Sequence, residues 1–231
     1  MLDVSSAADA PTAYYTLFHP PERSALFTRT DARTGRMLGF VGRFQTGIDL
    51  FRPLVTMACR DASTAADLLA EALAPGRPYI LFANINQLSL LSGSMQIDDE
   101  RLLMIYQLDV RRFDPILNVL VQCRTVVGGL PRCEINSGGQ QAIAGVNWQS
   151  PAFAEIYVQV DPGARLRGWG QSVTSAITQA VLDGGRIPIY LVESDNEASV
   201  MLAEKLGYVD TGARQIYADV VYLGHPSRRG S

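Results

Sequence analysis

Five apolar residues, Val173, Ala176, Ile177, Ala180 and Val181, fall at i, i+3, i+4, i+7 and i+8, which is the stripe of an amphipathic helix; Gly184-Gly185 ends it. Ahead of that helix, "QQAIAGVNW" and "AFAEIYVQV" are rich in β-branched and aromatic residues, and Ser150-Pro151 supplies a turn between two strands. Behind it, "IPIYLVE" has the length and apolar content of a strand. Asp195 or Asn196 caps a second helix carrying Ala198, Met201, Leu202 and Leu206, with Gly207 as its stop, and "RQIYADVVYL" closes with another strand. The order is β-β-α-β-α-β.

The first half repeats that order more loosely. "ALFTRTD", "RMLGFVGRF" and "LVTMACR" read as strands, with Thr34-Gly35 at the first turn. Ala65, Leu68, Leu69, Ala72 and Leu73 form a helical stripe ended by Pro75-Gly76; "YILFANI" and "ERLLMIYQLDV" follow as strands. Asn86-x-x-Ser89 follows one strand as Asn196-x-x-Ser199 follows its counterpart. A repeat of this length implies a duplicated domain rather than a solenoid unit. The expected division is a flexible tail at 1–13, one half at 14–115, a second at 116–224 and a tail at 225–231, with "RRFDPILNVL" connecting the halves.

Composition narrows the chemistry. The 231 residues, 47% hydrophobic and 19% charged, describe a globular chain. No apolar run reaches the ~18 residues of a membrane helix, and the start lacks the basic and apolar parts of a secretory signal, so the expected location is cytoplasmic. A formal charge of −3 offers no overall attraction to nucleic acid. Cys59, Cys123 and Cys133 have no short spacing and read as ordinary reduced thiols. His19 and His225 are the only histidines, both beside prolines near the ends, which disfavours a histidine metal site or a catalytic triad.

Candidate chemistry gathers between the second strand of the second half and its first helix, in "VDPGARLRGWGQSV". A strand leading through glycines into a helix aims free N–H groups at one point, at the positive end of the helix dipole. Gly168 and Gly170 allow close backbone approach to a phosphate, and Arg165 and Arg167 add charged donors. The stretch is neither a Walker A loop, lacking Gly-Lys-Ser/Thr, nor a dinucleotide Gly-x-Gly-x-x-Gly.

It resembles the pyrophosphate loop of the GNAT acyltransferase superfamily, Gln/Arg-x-x-Gly-x-Gly/Ala after a strand ending in Val-x-Pro. Here Val160-Asp161-Pro162 precedes Arg165-Leu166-Arg167-Gly168-Trp169-Gly170. "NEASVMLAEKLGY", Asn196 to Tyr208, is similar to the family's later motif, an Asn opening a helix that ends in Gly-Phe/Tyr. The resemblance covers residues 132–223.

It implies an α+β fold with a mixed, mostly antiparallel sheet flanked by helices in two related halves. It further implies an acetyl-CoA or other acyl-CoA dependent N-acyltransferase acting on a small-molecule or peptide amine, with dimers common in the family. The implied cofactor contacts are Val158 and Val160 along the pantetheine, amides from Arg165 through Leu166, Arg167, Gly168, Trp169 and Gly170 to Gln171 on the pyrophosphate, and Asn196 and Ser199 on the second helix. Glu155 resembles the catalytic glutamate of the histone-acetylating branch, displaced by one residue from the loop; a β-bulge would have to restore its facing. Glu193 is the reserve base. Ala203 stands where many members carry the tyrosine that protonates the departing thiolate; Tyr208 and Tyr217 match no motif for that role. This opens a second reading, a non-catalytic acyl-CoA-binding sensor or partner subunit. The first half, with Arg60-Asp61-Ala62-Ser63 between strand and helix, has no pyrophosphate loop, and Asp61 or Ser63 reads there as an N-cap.

Overall fold

The computed structural model describes residues 2–91, 93–126 and 128–224; His225 and the expected 225–231 tail lie outside them. The expected tail at 1–13 is corrected. Ala10–Ala13 forms one turn of α-helix, α1, running into a π-helical turn at Tyr14–Phe18, and Ala7, Ala10 and Ala13 are buried. Small side chains at a three-residue spacing let this segment pack closely, which a polar composition concealed.

The chain divides into two compact units, and the division is not at 115/116. One comprises Pro11–Leu103 with the chain from Arg214; the other comprises Val4–Ala10 and Met104–Ala213. The sheets are mixed and mostly antiparallel, flanked by helices. Among the described residues, no helix is long and apolar enough to cross a membrane.

In the first unit, β1 (Ser24–Thr30), β2 (Met37–Phe44) and β3 (Leu54–Cys59) run antiparallel in succession. Helix α2 (Ala62–Ala72) then returns the chain to β4 (Pro78–Asn84), parallel to β3. The next neighbours are the later part of β11 (Tyr208–Tyr222) and the earlier part of β5 (Met95–Leu108). Asp61 is the N-cap of α2, accepting from Thr64 N at 2.8 Å, and the helix buries the expected Ala65, Leu68, Leu69 and Ala72. The pairing of β3 with β4 covers only Leu54↔Ile80 and Val55↔Leu81. Beyond it, Gln87, in a 3-10 segment at Ile85–Leu90, accepts at 2.8 Å from the backbone N–H of Cys59.

The second unit repeats the succession. β6 (Gln122–Thr125), β7 (Pro131–Ser137), β8 (Gln140–Gln149) and β9 (Phe153–Val160) are antiparallel; α3 (Trp169–Asp183) leads to β10 (Ile187–Glu193), parallel to β9. The order β6-β7-β8-β9-β10 continues into the later part of β5 and the earlier part of β11, with α4 (Glu197–Lys205) between β10 and β11. Val173, Ile177 and Val181 of α3 join Ala203 of α4, Leu206 just after it and the inner residues of β7–β10 in one apolar core. β6 and β7 were not expected.

Cys123 and Cys133 are joined by a disulfide, which corrects the expectation of free thiols. They are directly opposed in the β6–β7 register with Cα atoms 4.0 Å apart. Only the hairpin brings them together, and ten residues of sequence separation announce nothing. Cys59 is a free, buried thiol, and burial pushes it up to about 12.

Candidate active site

Two parallel strands part in the second unit. β9 and β10 pair from Phe153↔Ile187 to Ile156↔Tyr190, and no further. Tyr157–Val160 and Leu191–Glu193 continue as strand without each other. The facing backbone edges of Tyr157–Val160 and Leu191–Val192 are thus available to an extended ligand.

A groove of about 790 Å³ lies beside this opening. One wall is the end of β9, Val158 to Val160; a second is the loop and first turn of α3, with Arg165, Leu166, Gly168, Trp169, Gly170 and Gln171. The third is α4, with Asn196 and Ser199. Of the expected cofactor contacts only Arg167 is absent from the walls; its guanidinium sits 5.6 Å from the centre of the Trp169 ring. Trp169 both lines the groove and packs into the core.

The start of α3 differs from those of its neighbours. Asp61 caps α2, and Asn196 caps α4 by accepting from Ser199 N at 3.1 Å. Gly168 caps α3 with no side-chain hydrogen bond. Its φ of +75° is left-handed, a conformation that favours glycine. Leu166 is also left-handed, at φ +61°, and its side chain is fully exposed. A Cβ on Gly170 would come within 3.1 Å of Val160 Cγ2, so a larger residue would push the helix away from the strand. The first turn therefore offers unsatisfied N–H groups, the positive end of the helix dipole and the Arg165 side chain to an anion.

Sequence reasoning missed part of the α4 wall. Ala198, Met201, Leu202 and Lys205, the only lysine, also line the groove. They occupy i, i+3, i+4 and i+7, a legible stripe, but Met201 and Leu202 read equally as core positions. Met201 is in fact 69% exposed.

Glu155 lies on the other side of β9. Ala154 and Ile156 enter the core beneath α3 and α4, and Val158 and Val160 pack against it, so Glu155, Tyr157 and Gln159 face away. A β-bulge does occur, on β8 rather than on β9: Val146 pairs with Ile156 and Trp148 with Glu155, leaving Asn147 extra. Asn147 Nδ2 donates to Glu155 Oε1 at 2.8 Å. Burial pushes the Glu155 carboxyl up to about 7, with hydrogen bonds from Asn147 and Trp148 pulling in the opposite direction. Glu155 sits one residue before the last paired position, where the strands begin to part.

The remaining candidates separate. Glu193 ends β10, and its carbonyl accepts from Asn196 N. Tyr190, at the last paired position, is hydrogen-bonded with Ser199 of the groove wall. Ala203 is fully buried core, and Tyr208 is a packing residue whose hydroxyl lies 2.7 Å from that of Thr178. Tyr217 belongs to the first unit, where the Arg101 guanidinium stands 5.7 Å from its ring centre.

Residues 135–217, from β7 to β11, match the family model described as FR47-like protein. Among solved structures, a GCN5-related N-acetyltransferase from Kribbella flavida is similar at 13% identity over 95% of this chain and 96% of that one, with a TM-score of 0.63. A GCN5-related N-acetyltransferase-like protein from Streptococcus suis 89/1591 is 15% identical over 94% and 100%, at 0.56. A tandem GNAT protein from the clavulanic acid biosynthesis pathway is 14% identical over 92% and 87%, at 0.57. At such identities the likeness is one of fold. No curated protein matches the sequence. Residues 135–217 are thus similar to the FR47-like model, and the fold is GNAT-like.

Proposed function

We propose that this protein is an acyl-CoA-dependent N-acyltransferase, using acetyl-CoA in the simplest case and a small-molecule or peptide amine as acceptor, in the cytoplasm. The observation that carries the reading is the parting of β9 from β10 beside a helix N-terminus with no side-chain cap. An acyl-CoA has two parts that fit this pair of features. Its diphosphate suits free N–H groups at Gly168–Gln171, and its pantetheine amides suit the edges of Tyr157–Val160 and Leu191–Val192 where the two strands no longer pair with each other. Asn196 uses Oδ1 as the cap of α4 and keeps its Nδ2 group for the ligand.

In the reaction, Glu155 takes a proton from the amine, directly or through a water, as nitrogen attacks the thioester carbonyl. The C–N bond forms, the C–S bond breaks with its electrons on sulfur, and the thiolate is protonated from water, because Ala203 holds no donor. A carboxyl near 7 is poised for this at neutral pH. In the first unit Asp61 puts a carboxylate at the start of α2, where a diphosphate would be repelled, so only the second unit binds acyl-CoA.

The reading is tested by release of free CoA thiol from acetyl-CoA across a panel of primary amines. Amine-dependent release lost in Gly168→Glu supports it. Tight acetyl-CoA binding without release from any amine would make the protein an acyl-CoA-binding module instead.

A further inference from the structure

A β-bulge gives up regular ladder pairing, and such irregularities recur where a side chain must be re-aimed. The one in β8 falls at Asn147, opposite the step from Ile156 to Glu155. Val146 faces the core beneath the helices, yet Trp148, only two residues on, shares the opposite face with Glu155. In a regular strand those two residues would share a face. The extra residue, Asn147, is exposed and spends its side-chain N–H on Glu155 Oε1.

The flanking strands set no charge against this carboxylate. β8 presents Asn147 and Trp148 and β10 presents Ile189 at the positions paired with Glu155 or beside them, and the carboxyl is hydrogen-bonded by Asn147 and Trp148. Of these two donors, Asn147 is exposed to solvent and holds Oε1 at 2.8 Å, whereas Trp148 is buried.

We propose that Asn147 is a positioning residue for acyl transfer: its amide holds Oε1 of Glu155, so that Oε2 is the oxygen that receives the acceptor's proton. This rests on the reading of Glu155 as the general base. The proton moves from nitrogen, or from a water attacking the thioester, to Oε2 as the new bond to the acyl carbon forms. The C–S bond breaks with its electrons on sulfur, the thiolate takes a proton from water, and Glu155 returns its proton to solvent.

The experiment uses the full chain with Asn147→Ala, Asn147→Asp and Glu155→Gln. The Glu155 carboxyl is titrated by carbon NMR, and hydrolysis of acetyl-CoA by water alone is followed by thiol release against pH. In Asn147→Ala, loss of a donor to the charged form raises the Glu155 midpoint by about one pH unit. The acid limb of hydrolysis moves with it, slowing the reaction about fivefold at pH 7, while acetyl-CoA affinity is unchanged. Asn147→Asp, of equal size and without the N–H donors, shifts both further and carries the test if the alanine variant fails to fold. A midpoint and a pH profile identical to wild type in these variants overturn the proposal. Wild-type hydrolysis in Glu155→Gln overturns the general-base reading and this proposal with it; that outcome is recognisable because the Glu155 titration would still respond to Asn147.

Discussion

Tyr190 is the last residue of β10 to pair with β9, and its partner is Ile156. The proposed general base lies one residue from that pair. Glu155 precedes Ile156 and faces away from the helices; Ser199, hydrogen-bonded with Tyr190, lines the groove on the helix side. In the proposed reaction, a thioester bound on the helix side would meet Glu155 through the opening where the strands part.

Gly168→Glu is expected to abolish acyl-CoA binding, because a side chain at φ +75° strains the loop and places a carboxylate where an anion should sit. Wild type gains about 2.7 kcal/mol at a hundredfold excess of acetyl-CoA over its dissociation constant. Thermal midpoints with and without acetyl-CoA check this: the wild-type rise should vanish in the variant. No rise in wild type would remove the cofactor from the proposal.

Glu155→Gln should reduce amine acylation by roughly 10²–10⁴-fold while leaving the acetyl-CoA midpoint shift intact. In wild type the rate should climb with pH through about 7, as the carboxyl becomes the carboxylate a base requires. Steady-state rates between pH 5 and 9 decide it, and a flat profile would assign the proton to another group.

The same carboxyl makes stability depend on pH. Its folded-state value is raised, so the folded protein holds this proton more tightly than the unfolded chain does. That contribution is complete below about 4.5, the ordinary value, and is lost as pH climbs through about 7. Denaturant midpoints should therefore fall over that window in wild type more steeply than in Glu155→Gln.

Cys123→Ser should cost about 2–3 kcal/mol by freeing the β6–β7 hairpin in the unfolded chain. Under denaturing, non-reducing conditions the wild-type protein should present one reactive thiol, Cys59, and after reduction three. Three thiols before reduction would mean the bridge does not form.

Much of the second unit was legible because its helices and inner strands carry dense local signals. The stripe from Val173 to Val181 and the two motifs around Gly168 and Asn196 lie where expected. β7 went unseen although Gly138-Gly139, both at positive φ, mark a two-residue hairpin to β8; its short apolar stretch, Cys133 to Ile135, is interrupted by Glu134. The facing of Glu155 was open for a different reason. It follows from Ala154 and Ile156 entering the core on either side of it, while the residues set against it depend on an extra residue in β8, and pairing between strands leaves no mark within either one. Likewise the Cys123–Cys133 bridge follows from register alone.

Strands β5 and β11 are 14 and 15 residues long, and each contributes one portion to either unit. The FR47-like stretch, 135–217, holds β10 and β11, yet the strand between them in the sheet is Met104–Leu108. Excised at its family boundaries, that stretch would have a missing slat in the middle of its sheet. A piece that keeps this sheet whole must therefore begin before Met104, and no single cut in the chain separates the two units, because each is built from discontinuous segments.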